Sequence, residues 1–76
     1  MTVRLLLWNL ADSMTTLDEL RTKLPDDPER TWISDEPTER FGVIERWDGE
    51  PGEFPQEVRD LIGKDPDIAE QFDVEG

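Results

Sequence analysis

The stretch from Thr31 to Asp48, TWISDEPTERFGVIERWD, narrows the folds open to this chain more than any other. Two runs rich in β-branched and aromatic residues, Thr31 to Ser34 and Phe41 to Trp47, flank Asp35 to Glu39 with Pro37 between them. That pattern predicts a β-hairpin whose loop exceeds the two-residue minimum. On the second strand the period of two puts Phe41, Val43 and Trp47 on one face and Gly42, Ile44 and Arg46 on the other. Gly42 marks either a bulge or the close approach of another group.

A strand pattern and a helix pattern stand on each side of this hairpin. VRLLLWNL, residues 3 to 10, carries Val3, Leu5 and Leu7 on one alternating set and Leu6, Trp8 and Leu10 on the other. A strand that is apolar on both faces is covered on both faces. Asp12 to Thr16 supplies turn chemistry, and Thr16 with Glu19 reads as a capping box opening a helix with Leu17, Leu20 and Leu24 at helical spacing, ended by Pro25. DDPE follows as a loop. After the turn-rich DGEPGE, Pro55 suits the first position of a second helix, Phe54, Val58, Leu61 and Ile62 recur along it, and Gly63 is its natural end. Ile68 is the expected anchor of the next turn, and QFDVE alternates Phe72 and Val74 against acids as a final strand. The order strand, helix, hairpin, helix, strand is α+β and ferredoxin-like, βαββαβ, with a four-stranded antiparallel sheet and two helices on one face. No repeat, low-complexity run or linker divides residues 1–76, so a single domain is expected.

Two short helices in 76 residues cover one side of a sheet only. The other side of the first strand therefore needs another molecule or a bound ligand, and a homodimer is the expectation. Cysteine and histidine are absent, which excludes disulfides, thiolate or imidazole metal sites and a His-activated nucleophile. The formal charge of −12, from twenty acidic and eight basic side chains, sets phosphate backbones and anionic membranes against the protein, so neither nucleic acid nor membrane is an expected partner. The acidity serves either as a well-solvated surface or as a mimic of nucleic acid that occupies a basic partner. Leu5 to Leu10 is too short to span a bilayer and is followed by Asp12, which fits a cytoplasmic protein. The carboxylate pairs Asp26-Asp27, Asp35-Glu36 and Asp65-Asp67 lack the spacing of a calcium loop, and Gly63-Lys64 lacks the surroundings of a phosphate loop, so no metal or cofactor is expected.

The first strand, the LDEL helix, the hairpin with Trp32, Asp35, Glu36, Gly42 and Trp47, and the terminal EQFDVE resemble the dimeric α+β barrel superfamily, in particular its small antibiotic-biosynthesis-monooxygenase-like proteins. The resemblance spans most of the chain and rests on element order and the hairpin pattern. It implies a homodimer of two facing four-stranded sheets with the helices outside, and a pocket between sheet and helices. It also implies either cofactor-free oxygen insertion into an electron-rich aromatic substrate or small-ligand binding. This chain lacks the tyrosine and histidine that several such relatives use.

Five residues are the candidates for a pocket. Asn9, the only asparagine, offers a carboxamide to a substrate carbonyl or oxyanion, and equally suits the backbone groups of the turn that follows. Arg46 offers a guanidinium to an anionic or phenolate-bearing ligand; for it, as for Arg40 and Arg4, cross-strand ion pairs with Glu45, Glu36 or a neighbour are the alternative. Trp8, Trp32 and Trp47 are large enough to wall a flat site for a small aromatic ligand, and large enough to be core, with Trp32 and Trp47 as cross-strand neighbours. Two functions follow from these alternatives: a cofactor-free monooxygenase-like or aromatic-ligand-binding dimer, and a noncatalytic acidic interaction module for a basic protein partner.

Overall fold

The structure, a computed structural model, describes residues 1–74. Its elements are β1 (Thr2–Asn9), α1 (Leu17–Lys23), β2 (Arg30–Asp35), β3 (Arg40–Trp47), α2 (Gln56–Ile62) and β4 (Ile68–Asp73). They form one four-stranded sheet in the order β2-β3-β1-β4, antiparallel at every pairing, which is the ferredoxin-like arrangement expected from the hairpin and its flanks. No helix among the described residues is long and apolar enough to cross a membrane.

The alternation of β1 divides the molecule. Thr2, Arg4, Leu6 and Trp8 are buried beneath the helices, whereas Val3, Leu5 and Leu7 are half-buried on the opposite face. Opposed residues of an antiparallel pair share a face, so Phe41, Val43, Glu45 and Trp47 of β3 join the first set, and Gly42, Ile44 and Arg46 the second. The core is Leu6, Trp8, Phe41 and Val43 from the sheet with Leu10, Leu20, Leu24 and Val58, all on the helix side. Gly42 is a site of close approach rather than a bulge: the register runs unbroken through it, and a Cβ there would meet Leu7 Cδ2 at 2.6 Å.

The helix ends follow the chemistry of their residues. Thr16 caps α1, its hydroxyl accepting from the Glu19 N–H at 3.2 Å. Pro55 proves to be the cap of α2 rather than its first residue, its carbonyl accepting from the Arg59 N–H at 3.1 Å. Gly63 closes α2 with φ of 87°, a conformation that costs a glycine little.

β4 departs most from expectation. It begins at Ile68 rather than in QFDVE, and the Glu75 of that stretch lies outside the described residues. The cause is at the other end of β1. There the Asp67 N–H donates to the Leu7 carbonyl at 2.8 Å, and the Asp67 carboxylate accepts from the Asn9 N–H at 2.7 Å, so the chain joins the free edge of β1 as soon as it leaves the Pro66 turn. Ile68, expected as the anchor of the turn, instead opens the strand and stands 43% exposed opposite Leu7 on the face away from the helices.

The Asn9 N–H foremost, and then Lys64 at 3.0 Å, hold the Asp67 carboxyl below its ordinary 3.8. A carboxyl lowered in the folded state stabilises the fold above its unfolded value and loses that contribution as the pH falls through the lowered one. Asp67→Ala is therefore expected to be less stable than the parent near neutrality, with the gap narrowing as the pH drops below 3.8; urea unfolding at a series of pH values measures it.

Candidate functional site

Arg4 and Glu45 lie directly opposite each other on β1 and β3, on the face covered by the helices, and their side chains are only 8% and 1% exposed. Arg4 Nε and Nη2 both approach Glu45 Oε1 at 2.7 Å. The remaining donors reach out of the sheet: Nη1 donates to the Gly52 carbonyl at 2.7 Å and Nη2 to that of Glu53 at 3.1 Å, which ties the loop between β3 and α2 to β1. The guanidinium also lies over the rings of Trp47, at 5.5 Å, and Phe54, at 5.1 Å. Glu45 Oε2 has no hydrogen-bond partner among the described residues and faces Arg30 Nε at 3.7 Å, while Arg30 Nη1 pairs with Glu57 of α2. A guanidinium with its donors engaged and an aromatic ring on two sides is a structural group; nothing leaves it free to hold a substrate.

The five candidate residues do not converge. Trp8 is wholly buried, its indole N–H donating to the Lys64 carbonyl at 3.0 Å. Trp32 donates to the Pro25 carbonyl at 3.1 Å, and both rings pack on Phe41 with centroids 6.4 Å and 5.8 Å away. Trp47 is half-buried over Arg4, with its indole N–H buried and unpaired among the described residues. Trp32 and Trp47 are not cross-strand neighbours, since Trp32 opposes Val43 and Trp47 opposes Thr2. Asn9 and Arg46 stand on the other face of the sheet, opposite Arg40 and Val3 respectively, which separates them by about 20 Å along the strands at the usual rise. Asn9 closes the turn, its Oδ1 accepting from the Ala11 N–H at 3.0 Å. Arg46 donates to the Thr31 hydroxyl at 3.2 Å and has no carboxylate within ion-pair reach among the described residues. An open groove of about 370 Å³ between the start of α1 and the hairpin tip contains none of the five; Leu10, Thr15, Leu17, Asp18, Glu36 and Glu39 are among the residues that line it.

What the fold does assemble is an open sheet face. Val3, Leu5 and Leu7 of β1 run down its middle, flanked by Ile44 of β3, Ile33 of β2, and Ile68 and Phe72 of β4. Ile33, Ile68 and Phe72 are 39%, 43% and 50% exposed, and Met1 and Val74 extend the patch at one end. The charged strand residues of this face are Asp35, Arg40, Arg46 and Glu70, two of each sign. Among the described residues no group of three or more His, Cys, Asp or Glu is placed to hold a metal ion. No protein-family model matches the chain, and no curated protein matches it.

Removing one partner of a buried ion pair strands the other, so Arg4→Met is expected to cost about 3–5 kcal/mol of stability. The double variant Arg4→Met with Glu45→Leu recovers most of that loss, because an apolar pair leaves no buried charge uncompensated. A double-mutant cycle with Arg4→Met, Glu45→Leu and the double variant in urea decides; a double-variant loss equal to the sum of the two single-variant losses would mean that the pair does not act as a unit.

Proposed function

We propose that this protein is a homodimer of the dimeric α+β barrel kind, joined through its open sheet face, and that it works in the cytoplasm as a noncatalytic acidic module for a basic protein partner. The observation that carries this reading is the composition of the face. A sheet surface exposed to water ordinarily alternates to polar residues, whereas this one is apolar along β1 and carries Ile44, Ile68 and Phe72 beside it. Its charges balance in a chain whose net charge is −12, so a second copy can approach it without like-charge repulsion across the contact. Strands of six to eight residues, four abreast, give a flat footprint of about 450 Å² before side-chain relief is counted, of the same order as the ~800 Å² that each partner buries in a standard interface.

The oxygenase and aromatic-ligand reading asks polar anchors and aromatic walls to meet around one substrate. Asn9 and Arg46 are instead on the face opposite Trp8, Trp32 and Trp47, and two of the three indoles are engaged with carbonyls. That placement favours the noncatalytic alternative. With the open face neutral, the excess of acid lies elsewhere on the molecule, where a basic surface can reach it.

Sedimentation equilibrium is expected to return twice the chain mass for the parent and one chain mass for Leu5→Lys with its far-UV dichroism unchanged. A parent that stays a single chain at the highest attainable concentration overturns the pairing. An immobilised basic protein is expected to retain the dimer at low ionic strength and release it steeply as salt shortens the Debye length below about 10 Å. Retention indifferent to salt, or no retention at all, removes the acidic-module reading.

A further inference from the structure

We propose that Arg46 of each copy pairs with Glu70 of the other, so that these two residues set the alignment of the dimer and select a second copy of this chain over other apolar faces. This rests on the self-pairing argued above and concerns its geometry. The apolar residues of the open face centre on β1: Met1, Val3, Leu5 and Leu7 lie on or beside it, Ile68, Phe72 and Val74 follow β4, and Ile44 and Ile33 fall on the other side. A two-fold contact buries the most apolar surface when its axis runs over the middle of the patch, and an axis along β1 lays β4 of each copy over β3 of the other. Glu70 stands on β4 opposite Leu5, and Leu5 in turn opposes Ile44, two residues from Arg46 on β3. The two charges are therefore offset by about 7 Å along the strands and by the ~10 Å between facing sheets, a span that the arginine and glutamate side chains bridge together.

Their isolation within one chain supports the pairing. Arg4, Arg21, Arg30, Arg59 and Lys64 have carboxylate partners, whereas Arg46, like Lys23 and Arg40, has none among the described residues; of these three Arg46 is the one that the two-fold brings nearest Glu70. Glu70 likewise makes no ion pair there, although it stands beside Leu5 on an apolar face. Both side chains are exposed, so charge reversal at either leaves the core untouched.

The test uses Arg46→Glu and Glu70→Arg, each alone and then mixed in equal amounts. Two-fold symmetry makes each substitution count twice, so each variant alone is expected to dissociate at least about tenfold more readily than the parent. The equimolar mixture is expected to recover dimers in which every contact again joins opposite charges, and native mass spectrometry identifies these by mass. Arg46→Gln, which removes a charge without adding one, is expected to fall between. Variants that dimerise as well as the parent, or a mixture no tighter than its components, overturn the Arg46–Glu70 contact while a dimeric parent keeps the self-pairing. A parent that never dimerises removes both.

Discussion

β1 is hydrogen-bonded on both edges and apolar on both faces, and the rest of the molecule is arranged around that condition. Its edges are satisfied within the chain by β3 and β4. One face is satisfied by α1 and α2, which bring Leu20, Leu24 and Val58 against Leu6 and Trp8. Two helices of seven residues each have no reach to the other side. The chain thus spends its helical material on one face and leaves Val3, Leu5 and Leu7 with only their own strand neighbours. The proposed pairing follows from that shortage: a sheet this apolar is completed most simply by a surface of the same kind, and a second copy carries one.

The buried Arg4–Glu45 pair shows how the register of the sheet is held. Hydrophobic alternation by itself discriminates weakly here, because both faces of β1 are apolar and a slip of one residue would exchange Val3, Leu5 and Leu7 for Leu6 and Trp8 without exposing a polar strand. The charged residues break that degeneracy. In the observed register Arg4 faces Glu45 and reaches the Gly52 and Glu53 carbonyls, whereas a one-residue slip turns a guanidinium onto the open face and takes from the buried Glu45 its hydrogen-bonded partner. A buried ion pair adds little net stability compared with well-packed apolar residues, but it penalises the wrong register heavily, and register is the information this strand otherwise lacks.

How much of this was legible in the sequence depends on what each residue's position had to reveal. The hairpin, the order of elements, the Thr16 cap and the two faces of β1 and β3 could be read because local chemistry and a period of two decide them. The start of β4 could not, because it is set by Asp67 meeting Leu7 and Asn9, far along the chain. The ion pair was half visible: Arg4 falls in step with Leu6 and Trp8, and Glu45 with Phe41, Val43 and Trp47, which places both charges under the helices before any distance is known. The candidate pocket failed on the same arithmetic. Trp8 and Asn9 are consecutive in one strand, as are Arg46 and Trp47 in another, and consecutive strand residues point to opposite faces, so these four could never have lined one side of the sheet together.

Charge separates the two associations proposed for this molecule. Two copies at −12 repel at long range and attract only once their neutral, apolar faces meet, so added salt removes the obstacle to approach and leaves the apolar gain intact. A basic partner is drawn in by the same long-range field, and added salt removes the attraction itself. Salt acts with opposite sign on the two surfaces, and each can be tuned by substitutions that leave the other alone. The arrangement works only while the charges on the open face stay balanced. An extra acid there would set the two copies against each other over a few ångströms, where screening is weakest.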